Sequence, residues 1–204
     1  MKDVFVVTHA EAAHHIEGLV GGWYDSELTD LGREQARAMG ERLSELVGGR
    51  KVVIYSSDLK RAAQTAAIVA ERFETTYTVS KSLREASYGV AEGKEQAWLD
   101  EHWVKTPEDN RLDHRNVEGG ETLRELSERV YGFSGPRMFE SQDEFVVFVS
   151  HGFASTFIIA NWIGLRLEDV SHVHFNLSTA SITQLHWDDH FRTRSVKRLN
   201  EVVL

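Results

Sequence analysis

Three short stretches of the chain hold side chains that could act together on an anion. Thr8, His9, Ala10 and Glu11 follow an apolar run at residues 3–7. Ser56, Ser57 and Asp58, with Arg61 just beyond, follow a second at 51–55. Ser150, His151 and Gly152 follow a third at 144–149. A neutral imidazole can attack phosphorus and carry the phosphoryl group covalently. The phosphoryl oxygens then need cations and hydrogen-bond donors, because phosphoryl transfer rests on positioning and charge stabilisation. Arg61 suits that task through its planar fork, and His151, when protonated, adds a second positive group. A leaving alkoxide needs a proton. Glu85, which follows a short β-rich run at 75–79, is the candidate acid. Gly152 opens a helical pattern and offers backbone N–H groups to an anion.

These residues need elements to position them. The runs at 3–7, 51–55, 75–79 and 144–149 read as strands, with later strands at 181–187 and 193–199. Helical spacing of Met39, Leu43, Leu46 and Val47 predicts a helix over 29–47, capped by Thr29 and stopped by Gly48 and Gly49. Ser57 or Asp58 is expected to cap a helix carrying Ala62, Ala66, Val69 and Ala70. Thr122 and Glu125 have capping-box spacing ahead of a stripe of Leu123, Leu126, Val130 and Phe133. Residues 152–162 read as a further helix. Such alternation predicts an α/β three-layer sandwich: a mostly parallel central sheet with helices on both faces. Residues 86–119 are polar and break the rhythm. They are expected to form a lid-like insertion over the C-terminal edge of the sheet, within a single domain spanning 1–204. Ligands in such sheets bind beyond the carboxyl ends of the strands, which is where His9, Arg61 and His151 fall.

Composition narrows the class. The chain has 204 residues, 41% of them hydrophobic, and a net charge of −9. That argues against a nucleic-acid partner, which needs a basic face. It leaves a small anionic metabolite open, since local charge can oppose net charge. There is no cysteine, so disulfides, thiolate metal sites and cysteine nucleophiles are excluded. The opening MKDVFVV lacks a long apolar leader pattern, and no run approaches 18 apolar residues. A cytoplasmic protein without a membrane partner is the expectation.

The motifs also carry a resemblance. Thr8-His9-Ala10-Glu11 is similar to the Arg-His-Gly-Glu opening of the histidine phosphatase superfamily, in its phosphoglycerate-mutase-like branch. The stretch from Gly22 and Trp23 through Asp25 to Leu28 and Thr29 resembles that family's GWxDxxLT. The stretch from Ser56 to Ala66 resembles its SSDLxRAxQTA. Leu83-Arg84-Glu85 with Gly89, Glu92 and Gly93 resembles its glutamate motif, and Gly119-Gly120-Glu121-Thr122 its GGES. Ser150-His151-Gly152 resembles its second-histidine motif, and all six run in the family's order. The resemblance implies that His9 becomes phosphorylated, that Arg61 and His151 clamp the phosphoryl oxygens, and that Glu85 protonates the leaving oxygen and then activates water. It implies no metal or organic cofactor, and a small phosphorylated metabolite as substrate, with Thr8, His15, Gly21, Gly22 and Gly152 around it. The region 86–119 corresponds to the part that shapes substrate choice.

The departures matter as much. Thr8 stands where the family has arginine, Ala10 where it has glycine, and His15 where it has asparagine, while Gly21 replaces a small polar residue. Losing one preorganised donor to an oxyanion costs about 2.7–4 kcal/mol. Three readings follow. His15, with His14 behind it, supplies the missing cation as an imidazolium, giving an acid-shifted optimum. Alternatively, turnover is lost and the pocket is a non-catalytic phosphate-binding module. Last, His9, His14 or His15, and His151 with Glu11 or Glu85 form a metal site, although no HExxH-like spacing supports it. A phosphatase acting on a small phosphomonoester leads. A mutase is second, because the histidine that mutases carry in an ERHYG stretch is missing from Glu85-Ala86-Ser87-Tyr88-Gly89.

Other residues have simpler expected jobs. Asp58 is expected to cap a helix, Glu11 to make a local loop hydrogen bond, and Trp23 to sit at the pocket rim. His172 and His174 are expected to alternate on a strand edge. Which of the insertion's charges (Lys94, Lys105, Arg111, Arg115 and its carboxylates) face the pocket is left open by the sequence.

Overall fold

A computed structural model describes residues 2–203. One six-stranded sheet runs through it in the order β3-β2-β4-β1-β5-β6. The strands are β1 (Lys2–Thr8), β2 (Val53–Ser57), β3 (Tyr77–Ser80), β4 (Phe145–Ser150), β5 (Ser181–Asp188) and β6 (Thr193–Val202). The pairs β1/β4, β2/β4 and β2/β3 are parallel, whereas β5 runs antiparallel to both β1 and β6. The sheet is therefore mixed, with β5 alone running against the rest.

Alternation along the central strands builds the three layers. Phe5 and Val7 of β1, with Val147 and Val149 of β4, pack against Met39 and Leu43 of α2 (Asp30–Val47) and Ala62, Ala66 and Val69 of α3 (Lys60–Arg72). Val4, Val6, Val146 and Phe148 point the other way, onto Leu126 and Val130 of α5 (Leu123–Phe139) and Phe157 and Ile158 of α6 (Gly152–Ile163). Burial on both faces is why these strands read as unbroken apolar runs. Two shorter helices complete the set: α1 (Ala13–Glu17), just after His9, and α4 (Gln96–His102), within the insertion. The sequence reading anticipated neither.

Some boundaries moved. β2 begins at Val53 rather than residue 51, where its pairing with Val146 of β4 begins. β3 starts at Tyr77, opposite Ile54, and β6 continues to Val202. The segment holding His172 and His174 is not a strand: His172 ends a 3-10 turn at Leu167–His172 and His174 lies in the irregular chain after it. Among the described residues no helix is long and apolar enough to cross a membrane.

Candidate active site

Register brings the site together. Thr8 at the end of β1 pairs with Ser150 at the end of β4, and the His9 N–H donates to the Ser150 carbonyl at 2.9 Å. His9 and His151 thus leave adjacent parallel strands one step past the last pair. Their ring centroids lie 4.9 Å apart, edge to face.

The tautomer of His9 follows from its partners. Nδ1 lies 2.7 Å from the Ala10 carbonyl oxygen, which can only accept, so Nδ1 carries the proton. Nε2 therefore holds the lone pair, and Arg61 Nε–H donates to it at 3.1 Å. Burial, and then the Arg61 charge, push the His9 pKa well below that of an ordinary histidine. The ring is a neutral base whose Nε2 lone pair is held toward Arg61.

Several motif residues act by holding these groups. The first-turn N–H of α3 at Lys60 donates to Asp25 Oδ1 at 2.7 Å, so a residue 35 positions upstream satisfies the helix that presents Arg61. Gln64 of the same helix accepts from Leu28 N–H at 2.8 Å, and Thr65 Oγ1 accepts from Ala10 N–H at 3.2 Å. Asp58 does not cap α3. It makes a two-pronged ion pair with Arg84, both contacts at 2.7 Å, and the N-cap position falls to Leu59. Glu11 makes the expected local bond, accepting from Thr29 Oγ1 at 2.7 Å. A Cβ at Gly32 would lie 2.0 Å from the Glu11 carbonyl oxygen. Only glycine there lets the first turn of α2 close onto the loop behind His9.

Arg61 is buried, and its other two nitrogens donate at 2.7 Å to the carbonyls of Tyr24 and Gly22. Desolvation lowers its pKa to about 10, so it remains a cation at neutral pH. Gly22 has φ +52°, a left-handed value that glycine adopts without strain. Glu85 reaches the start of α6: Oε2 accepts from Phe153 N–H at 3.0 Å, and Oε1 from Ala154 and Ala86 N–H at 2.9 and 2.8 Å. The helix N-terminus expected to receive a ligand at Gly152 thus gives its next two N–H groups to Glu85.

His9, Arg61, Glu85, Thr8, His15, Gly21, Gly22 and Gly152 all line one cleft of about 350 Å³. His151 does not. It is fully buried beside His9, with Nε2 hydrogen-bonded to Ser57 Oγ at 2.9 Å and Nδ1 without a hydrogen-bond partner among the described residues. Burial and then Arg61 push its pKa well down as well, so it is neutral in the free protein rather than the second cation expected.

Thr8 is buried, with Oγ1 accepting from Ser181 Oγ at 3.3 Å. His15 stacks on His9 with centroids 5.5 Å apart and planes 9° from parallel, and His14 sits 4.0 Å from His15. The imidazolium expected at His15 is not supported. Desolvation and then the Arg61 charge lower its pKa, although Glu11 opposes them. Its Nδ1 accepts from Ala12 N–H at 3.2 Å, which leaves the proton on Nε2 as a neutral donor. His14 is a packing residue. It is hydrogen-bonded to Ser26 Oγ at 2.6 Å, its pKa is lowered to about 3, mainly by burial, and a Cβ at Gly21 would lie 2.9 Å from its Nε2. Among the described residues no group of three or more His, Asp or Glu side chains is arranged to hold a metal ion.

Trp23, expected at the pocket rim, is not among the cleft-lining residues; its Nε1–H donates to the Glu85 carbonyl at 2.8 Å. Sequence reasoning missed Arg129 of α5, which donates to the carbonyls of Ser82, Arg84 and Glu85 and pairs with Glu121 at 2.7 Å. It also missed Tyr88, Gln96, Leu99, Leu177 and Thr179 in the cleft wall. These contacts span tens of residues, so no local pattern marks them.

The fold and the matching sequence place this chain in a known class. Residues 4–201 match the model of the histidine phosphatase superfamily (branch 1), and the chain belongs to that family. A Hydrogenobacter thermophilus relative named "Putative phosphoserine phosphatase 2" is 30% identical over 195 residues, covering 92% of this chain and 91% of the relative. A Salmonella paratyphi C protein named "Probable phosphoglycerate mutase GpmB" is 33% identical over 168 residues, covering 81% and 76%. The structure of a mycobacterial glucosyl-3-phosphoglycerate phosphatase in complex with VO3 superposes with a TM-score of 0.79. It is 26% identical, and the match covers 98% of this chain and 100% of that one.

Proposed function

We propose that this protein hydrolyses a small phosphomonoester through a phosphohistidine on His9. The observation that carries the reading is the fixed His9 tautomer: a neutral ring, Nδ1–H held by Ala10, Nε2 directed to Arg61 at the cleft. In the proposed step the Arg61 N–H turns from the His9 lone pair to a phosphoryl oxygen, Nε2 attacks phosphorus, the ester P–O bond breaks, and Glu85 delivers a proton to the departing alkoxide. Glu85, now a carboxylate, takes a proton from water, whose oxygen attacks phosphorus. The P–N bond breaks, and inorganic phosphate leaves. Arg61 stabilises the equatorial oxygens, with Thr8, the His15 Nε2–H and the Gly152 backbone as neutral donors. His151, whose ring lies edge to face 4.9 Å from that of His9, is assigned as a further donor to the phosphoryl group once it stands on His9. The vanadate-bearing relative supports an oxyanion site in this fold.

A mutase uses the same first step but returns the phosphoryl group to an alcohol. The product separates the two readings. Wild type incubated with a panel of phosphomonoesters is expected to release free phosphate, and His9→Ala to release none above background. An isomeric phosphate ester in place of phosphate favours the mutase. The Arg61 N–H resting on the His9 lone pair is the feature that suits a non-catalytic binding module. Tight binding of esters by wild type with no product of either kind favours that module.

A further inference from the structure

The cleft lining is short of positive charge. Arg61 is the only lysine or arginine lining it among the described residues. That charge is already faced by the carboxylates of Glu85, Asp25 and Glu92, all of which hold the guanidinium in its charged form against desolvation. The lining imidazoles His9, His14 and His15 have lowered pKa values and are neutral near pH 7. The insertion's cations do not reach in. Lys94 lies 3.6 Å over the Trp98 ring, Arg111 donates to the Ser171 carbonyl, Arg115 pairs with Glu125, and Lys105 is not in the lining.

The rest of the wall mixes apolar side chains with neutral polar groups. Leu19, Val20, Leu99 and Leu177 line it with the Tyr88 ring, and Gln96 and Thr179 add neutral polar groups. This wall is preformed. Val20 and Leu99 belong to a small core of their own with Ala91 and Val117. Val20 is also clasped by two backbone bonds, accepting from Gly93 N–H at 2.9 Å and donating to the Lys94 carbonyl at 2.8 Å.

We propose, on the basis of the hydrolysis reading above, that the alcohol half of the substrate is uncharged. Esters bearing a second anionic group are disfavoured. A phosphoryl group at His9 takes up the one cation. A carboxylate or second phosphate on the same molecule would then lie in the cleft without a cationic partner, and desolvating an unpaired charge is costly. An uncharged alcohol avoids that cost and packs on Leu19, Leu177 and the Tyr88 ring. The relatives named above include a putative phosphoserine phosphatase and a probable phosphoglycerate mutase, whose names point to carboxylate-bearing esters, so the proposal separates this chain from them.

The test compares three esters. Glycerol 3-phosphate and 3-phosphoglycerate share a skeleton and differ by a carboxylate, while phenyl phosphate adds an apolar surface and also a better leaving group, so its rank is read from Kd alone. Relative kcat/KM is measured on wild type, and Kd for the same three esters by calorimetry on His9→Ala. The expected order is phenyl phosphate, then glycerol 3-phosphate, then 3-phosphoglycerate. The last two should differ at least about tenfold, the scale of one charged hydrogen bond. Gln96→Arg, on the exposed first turn of α4, should narrow that gap by about tenfold. Equal or better use of 3-phosphoglycerate by wild type overturns the selectivity proposal and leaves hydrolysis standing. No turnover with the Kd order intact removes hydrolysis and keeps the selectivity. Neither turnover nor binding of any ester removes both, and an unchanged gap in Gln96→Arg counts against the charge argument.

Discussion

At the scale of single residues, His9 owes its proposed reactivity to two neighbours. The Ala10 carbonyl fixes which nitrogen bears the proton, and Arg61 opposes any second proton. Thr8 is a different case: a neutral, buried hydroxyl at the end of β1, in a position where the resemblance implies an arginine. If His15 Nε2–H is the replacement donor, His15→Ala should lower kcat/KM for the best ester by about 100-fold. The fold should survive, because the residue is exposed in a short helix. An unchanged kcat/KM would assign His15 to packing alone. Thr8→Arg should raise kcat/KM by about tenfold or more, by adding a permanent cation to the developing oxyanion. The steady-state rate of the folded variant checks this.

At the scale of elements, Glu85 is placed by two helices it does not belong to. α6 supplies two N–H groups to its carboxylate, and Arg129 of α5 grips the carbonyls of residues 82, 84 and 85. Arg129 is a positioning residue. Arg129→Gln should lower kcat by about 10- to 100-fold while KM moves little, because a displaced acid affects the transition state more than ground-state binding. Rescue by Arg129→Lys is expected to be poor, since a point charge cannot reproduce the fork. A rise in KM alone would contradict the positioning role. Local signals found what local physics dictates: strand ends, the Thr29 cap, and the Thr122–Glu125 capping box, which forms with bonds of 3.1 and 2.9 Å. They failed where the partner is distant. Asp58 reads as a cap until Arg84, 26 residues on, claims both its oxygens, and Asp25 gives no sign in sequence of capping α3.

At the scale of the whole molecule, the sheet explains why so much of the site was legible. Parallel strands must end at one edge, so three strand–residue pairs read blind already placed His9, Arg61 and His151 together. Residues 86–119 were legible only as a break in rhythm. Their Ala91, Leu99 and Val117 form a satellite core with Val20, from a segment far away in sequence. The buried imidazoles also couple stability to pH. His9, His14 and His151 have folded-state pKa values below the unfolded 6.5. Between those values the unfolded chain binds more protons, so stability is complete above pH 6.5 and falls as pH drops below it. Urea unfolding should therefore show a loss of up to about 1.4 kcal/mol per pH unit for each such histidine. His14→Asn should flatten the slope by about one histidine's share. An unaltered slope would mean that His14 takes up its proton while folded.

The central claim is that phosphorus passes through a bond to His9 Nε2. It is tested most directly by mixing the protein with its best ester, quenching in alkali within milliseconds, and locating the modification by mass spectrometry. Alkali is chosen because phosphohistidine survives it and is lost in acid. One phosphoryl group on His9, formed no later than free phosphate and absent from His9→Ala, is the predicted result. Free phosphate released at full rate with His9 unmodified, or the phosphoryl group found on His15 or His151 instead, would contradict it.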